Sequence, residues 1–198
     1  GEIYDSFRNR VIFPIYNVNT QIVGFGGRII EKNTNLPKYL NSPDSPIFKK
    51  GNELFGIKHQ GENIRKKGFA MLMEGYLDVL TAQKNGFESA VASLGTAFTE
   101  EQAQLLKKYT DKILISYDND EAGKNAIIKA GYILKKYDFD VKCLVMDGNE
   151  KDPDEFLRKN GKKAFIEVVK KSEEVFDFLT KEASKDLDLE DISGERKF

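Results

Sequence analysis

An α/β protein built on a parallel sheet flanked by helices is predicted by four short apolar runs, each separated from the next by a stretch of helical periodicity. The runs are FAMLM (69–73), SAVAS (89–93), KILIS (112–116) and VKCLVM (141–146). Uninterrupted apolar runs suit strands buried on both faces, and the strand-helix alternation requires right-handed crossovers between parallel neighbours. A second observation adds a partial β-rich segment of mixed character ahead of this sheet: RVIFPIY and QIVGFGGRII are joined by the turn-like NVNT. A third is the helical spacing of Phe156, Leu157, Phe165, Val168, Val169, Phe176 and Leu179, which predicts a helical C-terminal segment. The expected organisation is therefore 1–68, 69–152 and 153–198.

Each element has its own signals. In the first segment a Pro/Asn/Ser-rich loop, NTNLPKYLNSPDSP, follows the β-rich runs. The aromatics Tyr4, Phe7, Phe13, Tyr16, Phe25 and Tyr39 are expected in a core rather than as base-stacking platforms, and His59 at the surface. GFGG at 24–27 lacks the G-x-G-x-x-G spacing of a dinucleotide site and is expected to be a tight or bulged turn. After FAMLM, YLDVLTAQKNG places Leu77, Leu80 and Thr81 at helical spacing and stops at Gly86. Thr99 and Gln102 make a T-x-x-Q capping box for the next helix, and EAGKNAIIKAGYILKKY forms a third. Gly161 marks a break between two C-terminal helices.

Composition excludes several classes. With 198 residues, 40% hydrophobic and 32% charged, the chain can bury a core and falls within one to two domains. The single cysteine, Cys143, and single histidine, His59, exclude a disulfide framework and an all-protein zinc site, and the cysteine usage points to a reducing cytosol. No apolar run approaches the roughly 20 residues of a membrane span, and GEIYDSFRNR lacks a signal-peptide core, so a cytoplasmic protein without membrane contact is expected. The missing initiator methionine reads as a piece of something longer. A formal net charge of -1 conceals an asymmetry: residues 1–68 hold 11 Lys/Arg against 6 Asp/Glu, and residues 69–198 hold 20 against 26. The first segment suits polyanions, the second cations.

In an open parallel sheet, ligands bind beyond the carboxyl ends of the strands. Three acidic clusters fall there. Glu74 directly follows FAMLM, with Asp78 four residues on; Asp118 and Asp120 follow KILISY; Asp152 and Asp154 lie beyond VKCLVM. Two carboxylates about 4 Å apart repel by roughly 4 kcal/mol at an effective dielectric near 20, so clustering without a cation is unfavourable. Oxygen donors alone select a hard cation, Mg²⁺ or Mn²⁺, and two such ions about 4 Å apart form the usual clamp for phosphoryl transfer. Each cluster also has a helix-capping reading. Asp118 with Glu121 forms a D-x-x-E box, Asp152-Pro153 with Glu155 a helix start, and Asp78 complements a helix dipole. Glu74 caps nothing obvious. Arg8, Arg10, Arg28, Lys38, Lys49 and Lys50 stand beside glycine and proline loops, either as a solvated face or as phosphate contacts.

MEGYLDVL, ASLGT and YDNDEAGKNA together resemble the TOPRIM metal-binding fold of bacterial primases, type IA and type II topoisomerases and some nucleases. FRNRVIFPI, IVGFGGR, PKYLNSPDSPIFKKG and LFGI, with DGNEKDPDEFLRKNGKKAF downstream, are similar to the RNA polymerase core of bacterial DnaG-type DNA primases, roughly from Tyr4 to Leu179. The resemblance implies a core fragment of a DNA-templated RNA polymerase, a nucleotidyltransferase making short RNA primers on single-stranded DNA for replication. It implies catalytic Glu74, Asp118 and Asp120, which with Asp78, Asp152 and Asp154 hold two Mg²⁺ or Mn²⁺ ions. One ion would lower the pKa of the initiating nucleotide's 3′-hydroxyl, which attacks the α-phosphate of the incoming ribonucleotide; the other would stabilise the departing pyrophosphate.

Template and nucleotide contacts are implied at Arg28, Lys38 and Lys50, with Arg8 and Arg10 as further basic candidates. Implied partners are single-stranded DNA, ribonucleoside triphosphates and, through a C-terminal domain not in this sequence, the replicative helicase. The family's zinc-binding module is also not in it, so no zinc is expected here, and the fragment alone is expected to be weakly active or inactive. Asn119 departs from the family's usual Asp-Gly-Asp, but asparagine tolerates turn conformations, so the loop is expected to survive. The alternatives are a TOPRIM nuclease or topoisomerase fragment, and a noncatalytic nucleic-acid-binding module whose aspartates only cap helices.

Overall fold

The computed structural model describes residues 5–31, 35–146 and 150–185; Tyr4, the 147–149 stretch and the 186–198 end of the predicted helical segment lie outside it. The chain begins with a three-stranded antiparallel sheet, β1 (Arg10–Tyr16), β2 (Ile22–Ile29) and β3 (Tyr39–Asn41), in that order. NVNT turns between the first two, with Asn17 N donating to Gln21 O. GFGG, expected as a turn, instead runs through the middle of β2. Its glycines answer to packing: a Cβ on Gly26 would stand 2.5 Å from the Tyr76 ring, and one on Gly27 2.7 Å from the Phe7 ring. Two further elements carry no clear sequence signal. β3 lies inside the stretch expected to be loop, and α1 (Ile57–Lys67) starts without a side-chain cap at Gly56, which adopts φ 89.

The second sheet holds β4 (Ala70–Met73), β5 (Ala90–Ala92), β6 (Lys112–Ser116) and β7 (Asp140–Cys143), all parallel, in the order β5-β4-β6-β7. A two-residue strand, β8 (Glu173–Glu174), pairs antiparallel to β7 and closes that edge, so the sheet is not wholly parallel. The predicted strand at 141–146 ends early, at Cys143, and its residues alternate between exposed and buried.

The crossovers are α2 (Tyr76–Lys84), α3 (Glu100–Lys107) and α4 (Glu121–Lys136), followed by α5 (Pro153–Lys170) and α6 (Val175–Lys185). One sheet face, with Leu72, Ile113, Ile115 and Val141, packs on α1, α3, α4 and α6; the other, with Met71, Met73 and Leu114, packs on α2 and α5. Thr99 and Gln102 form the expected reciprocal box, each bond 3.2 Å, and α5 breaks at Gly161 as its glycine predicted, at φ 75. The inward face of α2 differs from expectation. It buries Tyr76, Asp78, Val79 and Ala82, while Leu80 is 39% exposed, because the helix packs through Val79 and Ala82 against α5 and β5.

Tyr76, the first residue of α2, joins the two sheets. Its ring stacks on Phe13 at 5.1 Å and 6°, meets Phe55 edge-on at 4.8 Å, and its hydroxyl bonds Asn41 Oδ1. Phe13 thus fulfils the core expectation. Phe25 does not: it is 40% exposed, on the face of β2 opposite Gly26, which receives Tyr76. His59 is exposed, with its ring edge-on to Tyr16.

Candidate metal and polyanion site

From β4 the chain steps to β5 on one side, then crosses back to β6 on the other. The order therefore reverses between β4 and β6, where the crevice of an open α/β sheet receives ligands. Glu74 follows β4 and Asp118 follows β6. Across the switch point Glu74 Oε1 accepts from Asp118 N at 3.2 Å, so Glu74 holds the neighbouring loop instead of capping a helix.

The second acidic pair, Asp120 and Asp118, divides its tasks differently from the D-x-x-E expectation. Asp120, not Asp118, caps α4, its Oδ1 accepting from Gly123 N at 2.8 Å. The helix starts two residues later than a cap at Asp118 requires. Gly123 makes this possible, because any Cβ there would lie 2.0 Å from Asp118 O. Asp152 does cap α5, accepting from Glu155 N at 2.7 Å with Pro153 at the first helical position. Asp78, 8% exposed, accepts from Gly75 N at 3.1 Å and from Asp154 N at 3.2 Å, tying α2 to α5. Asp154 in turn accepts from Thr81 Oγ1 at 2.5 Å and pairs with Arg158.

Glu74, Asp78, Asp118, Asp152 and Asp154 line one cavity of about 270 Å³, together with Arg28, Lys38, Tyr39 and Arg158. The structure thus gathers five of the six predicted carboxylates and two of the predicted basic residues. Asp120 is turned to the α4 backbone, though close enough to raise the pKa of Asp118 and Glu74. Arg10 spends its guanidinium on backbone: it donates to Gly27 O and Lys38 O at 3.3 Å and to Pro37 O at 2.8 Å, bracing the strand that presents Lys38. Neither Arg8 nor Lys50 lines the cavity. The former donates to Asp5 O at 3.1 Å, and the latter's backbone N donates to Asp44 Oδ1 at 3.2 Å. Sequence reasoning missed Tyr39, Thr81 and Arg158; the one available signal was the i,i+4 spacing of Asp154 and Arg158 on a helix beginning at Pro153.

Burial, then the Asp152 charge, pushes Asp78 up to about 7. Burial followed by Glu74, Asp78, Asp152 and Asp120 does the same to Asp118, also to about 7. Glu74 is raised chiefly by burial, opposed by the Asp118 N–H. Neighbouring carboxylates add to burial in making Glu74, Asp78 and Asp118 harder to ionise, and a cation would relieve this. Among the described residues no three of these side chains converge on a point as ligands; they ring a cavity. Two residues before Asp118, the fully buried Ser116 hydroxyl has no hydrogen-bond partner among the described residues. An all-oxygen, mutually repelling donor set fits a hard divalent cation.

Sheet order and carboxylate placement define a Toprim-like protein, and the Toprim-like family matches residues 71–157. Residues 1–61 match the N-terminal domain of the DNA primase catalytic core. The DNA primase of Clostridium acetobutylicum is 43% identical over 197 residues, covering 99% of this chain and 32% of that protein. That of Aquifex aeolicus is 42% identical over 188 residues, covering 95% and 37%. Among solved structures, the E. coli primase catalytic core is similar with a TM-score of 0.88 at 35% identity, over 100% of this chain and 63% of that one. A DnaG primase catalytic domain bound to single-stranded DNA gives 0.87 at 34%, over 98% and 61%. The chain belongs to the bacterial DnaG-type DNA primase family and corresponds to part of its catalytic core. It spans about a third of the length of the curated relatives it matches, and its family uses divalent metal.

Proposed function

We propose that this chain is the part of a primase core that binds ribonucleoside triphosphates and single-stranded DNA and performs templated nucleotidyl transfer with Mg²⁺ or Mn²⁺. The observation that carries the reading is the single cavity in which Glu74, Asp78, Asp118 and Asp152 face Arg28 and Lys38. A nucleoside triphosphate with its cations needs both signs of charge within one site, and both are there. Bound divalent cations supply Lewis-acid activation of a hydroxyl and neutralisation of charge on phosphoryl oxygens.

The chain's own residues set the geometry. Glu74 and Asp118 fix one wall across the switch point, and Asp78 and Asp152 bring the second wall from α2 and α5. Arg28 and Lys38 receive the triphosphate, with Lys38 Nζ lying 5.6 Å from the Tyr39 ring centroid. Asp120 would act on the cations through the start of α4 that it caps beside Asp118, and Asp154 through Asp78 and Arg158. Residues 1–68 form the basic part, 69–152 the metal-binding part and 153–198 the start of a helical part. We assign the protein to the cytoplasm and assign contact with the replicative helicase to a segment other than this one.

Two measurements test the reading. Mn²⁺ titration should give binding that weakens more than tenfold in Glu74→Gln and Asp118→Asn. Ribonucleotide incorporation on a single-stranded template should be low for this chain and abolished in both variants. Mn²⁺ affinity untouched by either substitution, or strand cleavage without incorporation, would overturn the proposal.

A further inference from the structure

Asn119, between Asp118 and Asp120, has a negative φ, so its backbone needs neither glycine nor a left-handed turn residue. Its side chain has another task. Nδ2 donates to Met146 O at 3.0 Å, and the Asn119 backbone N donates to Lys151 O at 2.8 Å. These carbonyls flank the connection that leads from β7 to Asp152, and Asp152 begins α5. One residue of the β6-to-α4 loop therefore grips both ends of the next loop along the sheet. On its other side the same loop is held by Glu74 through Asp118 N, and Asp154 N is held by Asp78. The carboxylates are thus carried on loops stitched to one another, and the Asn119 stitches join the Asp118 wall to the Asp152 wall.

We infer that Asn119 is a positioning residue: its bonds to Met146 O and Lys151 O set the separation of Asp118 from Asp152 and thereby the divalent-cation affinity of the cavity. The inference rests on the metal-binding reading above. Groups that orient ligands without touching the metal typically change affinity by about 10 to 100-fold when removed. The alternative, a residue chosen only for turn propensity, makes a different forecast, because glycine and aspartate suit turns as well as asparagine does. For a clamp, glycine lacks the donor, and aspartate would set an acceptor against the Met146 carbonyl.

Mn²⁺ titration followed by the electron paramagnetic resonance of the free ion, on the wild-type chain and on Asn119→Ala, Asn119→Gly, Asn119→Asp, Asn119→His and Asp118→Asn, separates these. Asn119→Ala and Asn119→Gly should bind about tenfold more weakly, Asn119→Asp more weakly still, and Asn119→His, whose Nδ1–H reaches the place of Nδ2, close to wild type. Amide hydrogen exchange of the metal-free chain adds a readout independent of the ion: the backbone N–H at position 119 should exchange faster in Asn119→Ala and Asn119→Gly than in wild type, while the strand amides of β4 and β6 stay protected. Glycine or aspartate binding Mn²⁺ as well as asparagine overturns the clamp. So does unchanged affinity in Asn119→Ala beside a collapse in Asp118→Asn. Wild-type affinity in Asp118→Asn itself would bring down the underlying metal reading instead.

Discussion

Single residues in the cavity carry the clearest pH signature. Asp78 and Asp118 have folded-state pKa values pushed up to about 7 from an ordinary 3.8. A raised carboxyl pKa means the folded chain holds protons the unfolded chain has released, so this contribution is fully present below the unfolded value and is lost as pH rises through 7. Melting of the metal-free chain between pH 5 and 8 should show stability falling by on the order of 2 kcal/mol, and Mg²⁺ should restore more of it at pH 8 than at pH 5. A second residue-scale forecast concerns Gly26, where a Cβ would stand 2.5 Å from the Tyr76 ring. Gly26→Ala should cost about 1 to 3 kcal/mol in denaturant titration through overpacking. Roles at this scale were unevenly legible. Glu74 stood out because an acidic residue ending an apolar strand has few structural reasons. The cap expected at Asp118 lies at Asp120, since capping depends on a helix start that sequence fixes only to within a residue or two. Arg10 was opaque for another reason: its acceptors are backbone carbonyls, which any sequence offers.

Whole elements were legible where local chemistry decides them. The Thr99 box, the Asp152-Pro153 start and the Gly161 break are written in side chains adjacent to the event they cause. Thr99→Ala should lower stability by about 1 to 2 kcal/mol, since Thr99 Oγ1 both accepts from Gln102 N and donates to Gly51 O at 2.5 Å. Chemical denaturation measures it, and a value near zero would mean that α3 is held by packing alone. Elements decided by distant partners were not legible. β8 forms where Glu173 and Glu174 meet the β7 edge, and α1 packs Ile57 and Ile64 into the core with Tyr109 against its Gly61. The glycines of β2 read as a turn until the ring they accommodate is known. In each case the determining contact lies far along the chain.

At the scale of the molecule, Arg28 and Lys38 of the basic N-terminal segment and the carboxylates beyond the parallel sheet line one cavity from opposite sides of the charge asymmetry along the sequence. Single-stranded DNA binding should therefore weaken steeply with salt, and Lys38→Ala should reduce the slope of log affinity against log salt by about 0.7. A slope unchanged by Lys38→Ala would mean that DNA runs elsewhere. The two sheets meet through Tyr76, wedged against Phe13 and Phe55 and seated beside Gly26, two residues from Glu74. That wedge works like the locking screw of a caliper: the jaws bearing Arg28 and Glu74 are set to one gap before any ligand arrives. Selection between ligands then rests on what spans a fixed opening, and loosening the screw with Tyr76→Leu would blur that measurement while leaving every charged residue in place.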